Sequence, residues 1–434
     1  MLDVLDLARQ HADQAEVYRV WRRETPVSFE ANRLKLLETK ESSGLALRLV
    51  KGGRIGFSAT NDPDDKKGLV ERAVELSGFG AEAKFDLPGL TEYPTVRLYD
   101  ESTERVTIEE MVQTGQGMID ALRATNAEID CEAGVTKTET EIEIVNSHGA
   151  RVSYRRSGYA VALHGTLIRG TDMLFVGDWA SSTGTDIDPK RITARVVKQL
   201  EMARDTVPAP TGKTTVLFSP RGVSSALLSP LTLALNGRTV IQGASPLQDK
   251  LGQRLFDERF SLWDDPTIDL RPASRIVDDE GIPARRTTLV DAGAPVTFLY
   301  DLQTAGQAGV ETTGSASRGL GSLPSPSTSL LVVGEGDTSY DDILAGIDDG
   351  LLIEQLLGAG QGNVLGGEFG GNVLLGYRIE KGRITGRVKD TMISGNVYEA
   401  LKNVVAIASD AEWVGGGLLT PGICCSGVTV SSKT

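Results

Sequence analysis

Three cysteines are too few to staple a chain of 434 residues. Cys131 stands alone and Cys424 and Cys425 are adjacent, so the disulfide framework of a small secreted domain is excluded. The adjacent pair reads as small apolar residues on a C-terminal strand rather than as a strained vicinal disulfide. Histidine is equally scarce. His11, His148 and His164 are the full set, and none lies four residues from another His or a Cys. A catalytic zinc needs about three protein ligands and one open position, so this spacing argues against a His-based zinc site. Aromatics make up only 5% of the chain. No apolar run approaches the roughly 18 residues that mark a membrane-crossing helix. Acids at Asp3 and Asp6 stand where a secretory signal would carry bases, which points to the cytoplasm and away from membranes.

Glycine and acid are what the chain has in excess. Its 49 glycines suit a fold with many tight turns and hairpins. The net charge of -14 repels phosphate backbones, so nucleic acid is not an expected partner. The length is enough for two or three domains with buried cores.

Residues 1–16 place Val4, Leu5 and Ala8 on one helical face, and short extended runs are expected from about Val27. Residues 44–57 read as a hairpin around Gly52-Gly53. Asp62-Pro63 is expected to cap a helix running to about Leu76. Residues 79–105 look like a connection. Thr107-Ile108-Glu109-Glu110 is a capping box, followed by Met111, Met118, Ile119 and Leu122 at helical spacing. Residues 140–145 alternate as a half-buried strand, Asn146–Gly149 is a turn, and 151–169 reads as two strands. Asp188-Pro189 opens a helix to about Arg204. Pro208-Ala209-Pro210 is stiff and is taken as a boundary. Beyond it come hairpins at 287–300 and 375–385, a helix from Ser339 to Gly350, and a helix from Asn396 with Val397, Leu401, Val404 and Ala408 inward.

This order of elements predicts an α+β fold: an N-terminal helix–strand region with an antiparallel sheet, then a strand-rich C-terminal domain with a few helices. The expected units are 1–98 and 99–207, packing together as one N-terminal domain, and 208–434, the β-rich C-terminal domain.

Few constellations point to chemistry. There is no G-x-S-x-G elbow, and the polar run Ser315–Ser329 reads as a loop or lid. The acidic groups Asp278-Asp279-Glu280, Asp341-Asp342 and Asp348-Asp349 read as solvated surface, although carboxylate pairs can also bind a divalent cation. The glycine-rich stretch 358–371 matches neither G-x-G-x-x-G nor a P-loop. Gly358, Gly360, Gly362, Gly366 and Gly367 permit close backbone approach by a peptide or a partner subunit. They are equally consistent with tight strand turns.

Several segments together resemble one family. They include Gly281-Ile282-Pro283-Ala284-Arg285-Arg286 with Leu289-Val290-Asp291-Ala292-Gly293, then Thr313-Gly314-Ser315-Ala316 and Asp349–Ile353. Gly366-Gly367-Glu368-Phe369, Gly376–Gly382 and Ile393–Val397 follow in the same order, with Gly44–Gly53 and Val145–Gly149 in the first half. The pattern is similar to that of the TldD/PmbA (TldE) family, once called modulators of DNA gyrase, and extends over nearly the whole chain. An acidic chain without a nucleic-acid motif gives the gyrase link no support.

The resemblance implies two branches. TldD-like members carry HExxxH on a helix, and a Cys nearer the C-terminus completes a zinc site whose Glu polarises the bound water. PmbA/TldE-like members lack the motif and pair with TldD in a heterodimer that trims small or unfolded peptides. In this sequence the resemblance puts Ser229 at the first His, Pro230 at the Glu and Ala234 at the second His. The ligand Cys would fall around Ser409 to Glu412, where there is none; Cys424 and Cys425 lie past it. The implied protein is a non-catalytic subunit that binds no metal or other cofactor itself, with zinc held by a TldD-like partner and peptides as substrates. Two alternatives stay open: a peptide-binding or assembly module, such as a homodimer, without a peptidase role, and an enzyme with an unrecognised active site.

Overall fold

The computed structural model describes residues 1–432. The fold is α+β, with two strand-rich halves. The first half is one antiparallel sheet in the order Arg54–Thr60, Lys40–Lys51, Gln14–Glu30, Asp130–Asn146, Arg151–Arg169, Asp172–Ser182, with Arg33–Leu37 also paired to Gln14–Glu30. Its two faces follow from the period-two alternation of a strand. Val17, Leu45, Leu47 and Leu49 pack beneath the helices Leu2–Arg9 and Lys66–Ser77. Tyr18, Ala46 and Ile144 point the other way, against Val277 of the second half.

Capping follows the sequence in most places. Thr107 accepts from the Glu110 N–H at 3.2 Å, and Glu110 accepts from the Thr107 N–H at 2.7 Å, starting Ile108–Thr125. Asp188 caps Pro189–Met202 through the Lys190 N–H. Asp62 does not cap its helix. Its carboxylate turns back to the Asp64 N–H, and the helix begins only at Lys66. The C-terminal helices are shorter than expected: Tyr340–Ala345 stops so that Asp349–Leu357 can join a sheet, and Val397–Lys402 stops before the strand Val404–Ile407. Val404 is buried there as a strand residue. Extended structure begins at Gln14, well before Val27, and residues 151–169 form one long strand rather than two. In Arg151–Arg169 buried and outward residues alternate along the whole strand, and the outward polar ones look like a break in sequence.

The second half is built on a closed ring of strands. Gly212–Phe218 pairs in parallel with Asp349–Leu357 and antiparallel with Ile423–Ser432. The latter pairs with Thr391–Asn396, which pairs with Glu368–Glu380, which returns to Asp349–Leu357. Closure leaves none of these five strands a fully free edge. Cys424 and Cys425 are fully buried in this ring and unbonded to each other, and burial pushes the Cys424 thiol up to about 12.

The far edge of the first sheet is blocked by side chains. The Gln199 amide meets Gly177 as a strand would, accepting from its N–H at 2.8 Å and donating to its C=O at 3.2 Å. Arg221 and Arg387 donate to the C=O groups of Trp179 and Met173 on the same strand.

Candidate functional site

The chain leaves Gly212–Phe218 and turns at Ser219, whose hydroxyl accepts from the Gly222 N–H at 3.2 Å and so caps the helix that follows. Three helical pieces run on without a break: Pro220–Val223, a π-helical turn Ser224–Leu228, and Ser229–Ala234. Pro230 sits in the first turn of the last piece, where its missing N–H costs least. The wider π turn precedes it, which relieves the clash a proline ring makes with the previous turn.

This run does not present a metal-binding face. Ser229 is exposed, while Pro230 is buried and Ala234 is fully buried in the main core of the second half. Ser229 offers a hydroxyl, Pro230 no heteroatom on its side chain, and Ala234 a methyl group. Such a set does not fit zinc, which takes imidazole, thiolate or carboxylate donors. Glu412–Val414 packs against Pro220–Val223, whereas Ser229–Ala234 packs against Gly237–Ile241 and Val397–Lys402. The segment expected to align with the family's Cys therefore lies at the other end of the helical run. Among the described residues no three His, Cys, Asp or Glu side chains gather as a metal site. His11 follows the first helix, His148 is in a turn with Nδ1 2.8 Å from the Leu87 C=O, and His164 is on a strand, where burial lowers its pKa.

A polar constellation does surround the start of the run. Ser219 donates to Glu354 at 3.0 Å, just past the carboxyl ends of the parallel strands. Burial raises the Glu354 pKa, and its bond to Ser219 and the charges of Arg195 and Arg221 oppose the rise. Arg221 is paired with Asp178, and Arg195 bridges Asp178 at 3.9 Å and Glu412. Every strong charge here except Glu354 has a close counter-charge, so the cluster joins the two halves rather than offering a free nucleophile.

The five singled-out glycines lie in the loop between Asp349–Leu357 and Glu368–Glu380. Gly358, Gly362 and Gly367 have φ of 81°, 115° and 85°, which glycine adopts without strain. The loop is filled by its own side chains. Asn363 accepts from the Gly366 N–H, Asn396 donates to the Gly366 C=O at 2.7 Å, and the Tyr398 ring lies against Gly367. Only Gly360 faces open space with an unstrained backbone.

The charges that sequence reading missed are in the seam between the halves. Asp278 and Glu280 are fully buried rather than solvated, as are Asp301 and Glu16. Arg48 is held between Glu16 at 3.2 Å and Glu280, and Arg318 lies 2.8 Å from Glu16. Asp278 accepts from the N–H groups of Glu280, Ile282 and Ala316. No local signal reveals the ion pairs, because Glu16, Arg48, Glu280 and Arg318 come from distant segments. The run Ser315–Ser329 is not a free lid: Ala316–Ser317 pairs with Ser325–Pro326, and Arg318 is buried.

Fold and site together define a two-part α+β protein whose C-terminal half closes a ring of strands and keeps a helix that carries no imidazole, thiolate or carboxylate donor at the three positions. Three family models cover it: PmbA/TldA metallopeptidase domain 1 at residues 15–77, the central domain at 101–204 and the C-terminal domain at 211–432. The chain belongs to the PmbA/TldD metallopeptidase family. It is 26% identical to a protein named metalloprotease from Methanothermobacter thermautotrophicus, over 94% of this chain and 90% of that one. It is 24% identical to a metalloprotease PmbA homolog from Haemophilus influenzae, with the same coverage. The crystal structure of TldE from Thermococcus kodakarensis superposes with a TM-score of 0.90 at 24% identity, covering 100% of both chains. A putative modulator of a DNA gyrase from Thermotoga maritima gives 0.89 at 21%, covering 99% of this chain and 98% of that one. At these identities the superpositions establish the fold alone.

Proposed function

We propose that this chain is the PmbA/TldE-like, non-catalytic subunit of a heterodimeric zinc peptidase, supporting the cleavage of small or unfolded peptides by a TldD-like partner that holds the zinc. The observation that carries it is the state of the three motif positions. Ser229 points outward, Pro230 and Ala234 are buried, and none of them offers a strong donor or a general base. The helix itself is kept, packed by Leu227, Leu228 and Leu231, so the family's framework is retained without its chemistry. A second reading, an assembly module with no peptidase role, is favoured by the open sheet edge at Arg33–Leu37.

The experiment is metal analysis and peptidase assay of the chain alone and co-expressed with a TldD-like subunit. The expected result is less than stoichiometric zinc and no hydrolysis from the chain alone, with both appearing in a co-purifying complex. One zinc per isolated chain with chelator-sensitive hydrolysis would refute the proposal. Failure to co-purify would favour the assembly module.

A further inference from the structure

A cavity of about 490 Å³ lies where the helix Gly237–Ile241 meets Leu302–Ala308, a volume within the range of small-molecule sites. The buried part of its lining is aromatic. Phe298 and Tyr300 meet edge to face, with ring centroids 6.3 Å apart. Aliphatic side chains complete it: Ile241, Leu251 and Val310 are exposed, and Val240 is half-buried. Among the described residues Glu311 is the only charged side chain of this lining, and it has neither an ion pair nor a side-chain hydrogen bond. Arg285 donates to the C=O of Thr312, the next residue, and leaves Glu311 unpaired. Tyr300 is 7% exposed, yet its hydroxyl has no hydrogen-bond partner among the described residues. Its oxygen is not sealed from solvent, so it opens onto the cavity that its ring lines. A buried phenol without a protein partner takes one from whatever fills the space beside it.

An apolar lining with one unpaired carboxylate selects a cation on an apolar stem. Glu311 repels an anion, and a neutral apolar group gains nothing from it. A hydrated metal ion finds a single carboxylate and no use for the aliphatic lining. A lysine side chain meets both demands, because its stem lies along apolar surface while the ammonium reaches a polar tip. The ammonium has three N–H donors. Glu311 and the Tyr300 hydroxyl accept two, and the third falls to Gln248 or Gln307, whose side-chain amides are unbonded and line the same cavity. Aromatic rings beside a cation add to the attraction.

We propose that this cavity binds a lysine side chain of a peptide, with the ammonium at Glu311 and Tyr300 and the stem against Ile241, Leu251 and Val310. That the cation arrives on a peptide rests on the proposed role in peptide handling; the preference for a cation does not. The test is a methyl NMR titration of the full chain with the blocked peptide acetyl-Ala-Lys-Ala-amide, read at Val240, Ile241, Leu251 and Val310. Saturable shifts of these methyls are expected. The same peptide with norleucine or glutamate in place of lysine is expected to bind more weakly. E311Q is expected to weaken the lysine peptide by about tenfold, as for a lost hydrogen bond to a charged group, and to leave the norleucine peptide unchanged. Y300F, which removes only the hydroxyl, is expected to give a smaller loss of the same kind. Methyl signals away from the cavity are expected to match the wild type in both variants. No shift with the lysine peptide would overturn the proposal, as would equal binding of the norleucine peptide or indifference to E311Q. n-Butylammonium chloride, the same cation without a peptide, is expected to bind more weakly; equal binding would overturn the assignment to a peptide and keep the cation site. Neither zinc nor a second subunit enters this test, so its failure is distinct from failure of the co-purification.

Discussion

The Arg318 guanidinium lies 2.8 Å from the Glu16 carboxylate, and both side chains are fully shielded from solvent. Glu16 is directly opposite Arg48 in the strand ladder, on the face of the sheet turned toward the second half. Arg318 also sits over the Tyr18 ring, with 4.3 Å from its guanidinium carbon to the ring centroid. The two halves are therefore joined by a buried ionic lattice, in which each charge depends on a partner from elsewhere in the chain.

Removing one member should be costly. Arg318→Met leaves Glu16 with Arg48 as its remaining counter-charge and is expected to destabilise the protein by about 3–5 kcal/mol, as for other broken buried pairs. Replacing both, as Glu16→Leu with Arg318→Met, is expected to recover part of that loss. Urea denaturation of the three variants checks the order; a single variant as stable as wild type would contradict it.

Asp264 supplies a pH dependence. Burial raises its pKa from 3.8 to about 6, against the opposing pull of Arg275 and the N–H groups of Ser329 and Leu330. Because the folded form holds its proton more tightly than the unfolded form, this group's contribution to stability is full below about pH 4. It is lost as pH rises through about 6. Asp264→Asn is expected to flatten that part of the pH–stability curve, and an unchanged slope would assign it elsewhere.

Restoring the letters of the motif should not restore the metal. A Ser229→His, Pro230→Glu, Ala234→His variant is expected to bind no stoichiometric zinc by mass spectrometry, since position 229 points to solvent and position 234 into the core. Ala234→His alone is expected to destabilise by about 1–3 kcal/mol through overpacking.

The glycine-rich loop separates into required and free positions. Gly367→Ala is expected to cost about 1–3 kcal/mol, because φ is 85° and the added methyl meets the Tyr398 ring. Gly360→Ala, with open space around it, is expected to change thermal stability little. Equal effects at both positions would count against a self-packed loop.

Gln199→Ala removes both bonds to Gly177 and leaves its N–H and C=O unpaired. A loss of about 1–3 kcal/mol is expected, with a greater tendency to aggregate as the edge is exposed. Thermal unfolding and light scattering test the two parts separately.

Local signals carried much of the fold. The Thr107–Glu110 capping box, the Asp188-Pro189 start and the Gly52-Gly53 turn are each specified by a few adjacent residues, and each stands where the sequence places it. Asp62-Pro63 failed because an Asp side chain closes its own turn as readily as it caps a helix. The helix ends at Ala345 and Lys402 were misread because strand pairing outweighs helix propensity once a partner strand is near. At the site, the residue types at positions 229, 230 and 234 were legible, but not that one faces water and another the core.

The sequence by itself determined the chemistry this helix lacks, since a side chain without a donor atom has none in any fold. It also determined the family, because ordered turns and glycines over the whole length leave a readable pattern. Only the tertiary structure decided which charges are buried. Asp278 and Glu280 look like surface acids until a strand far away in the chain brings Arg48 to Glu280 and the Ala316 N–H closes on Asp278, and burial of a charge is a property of its neighbours rather than of its own residue type.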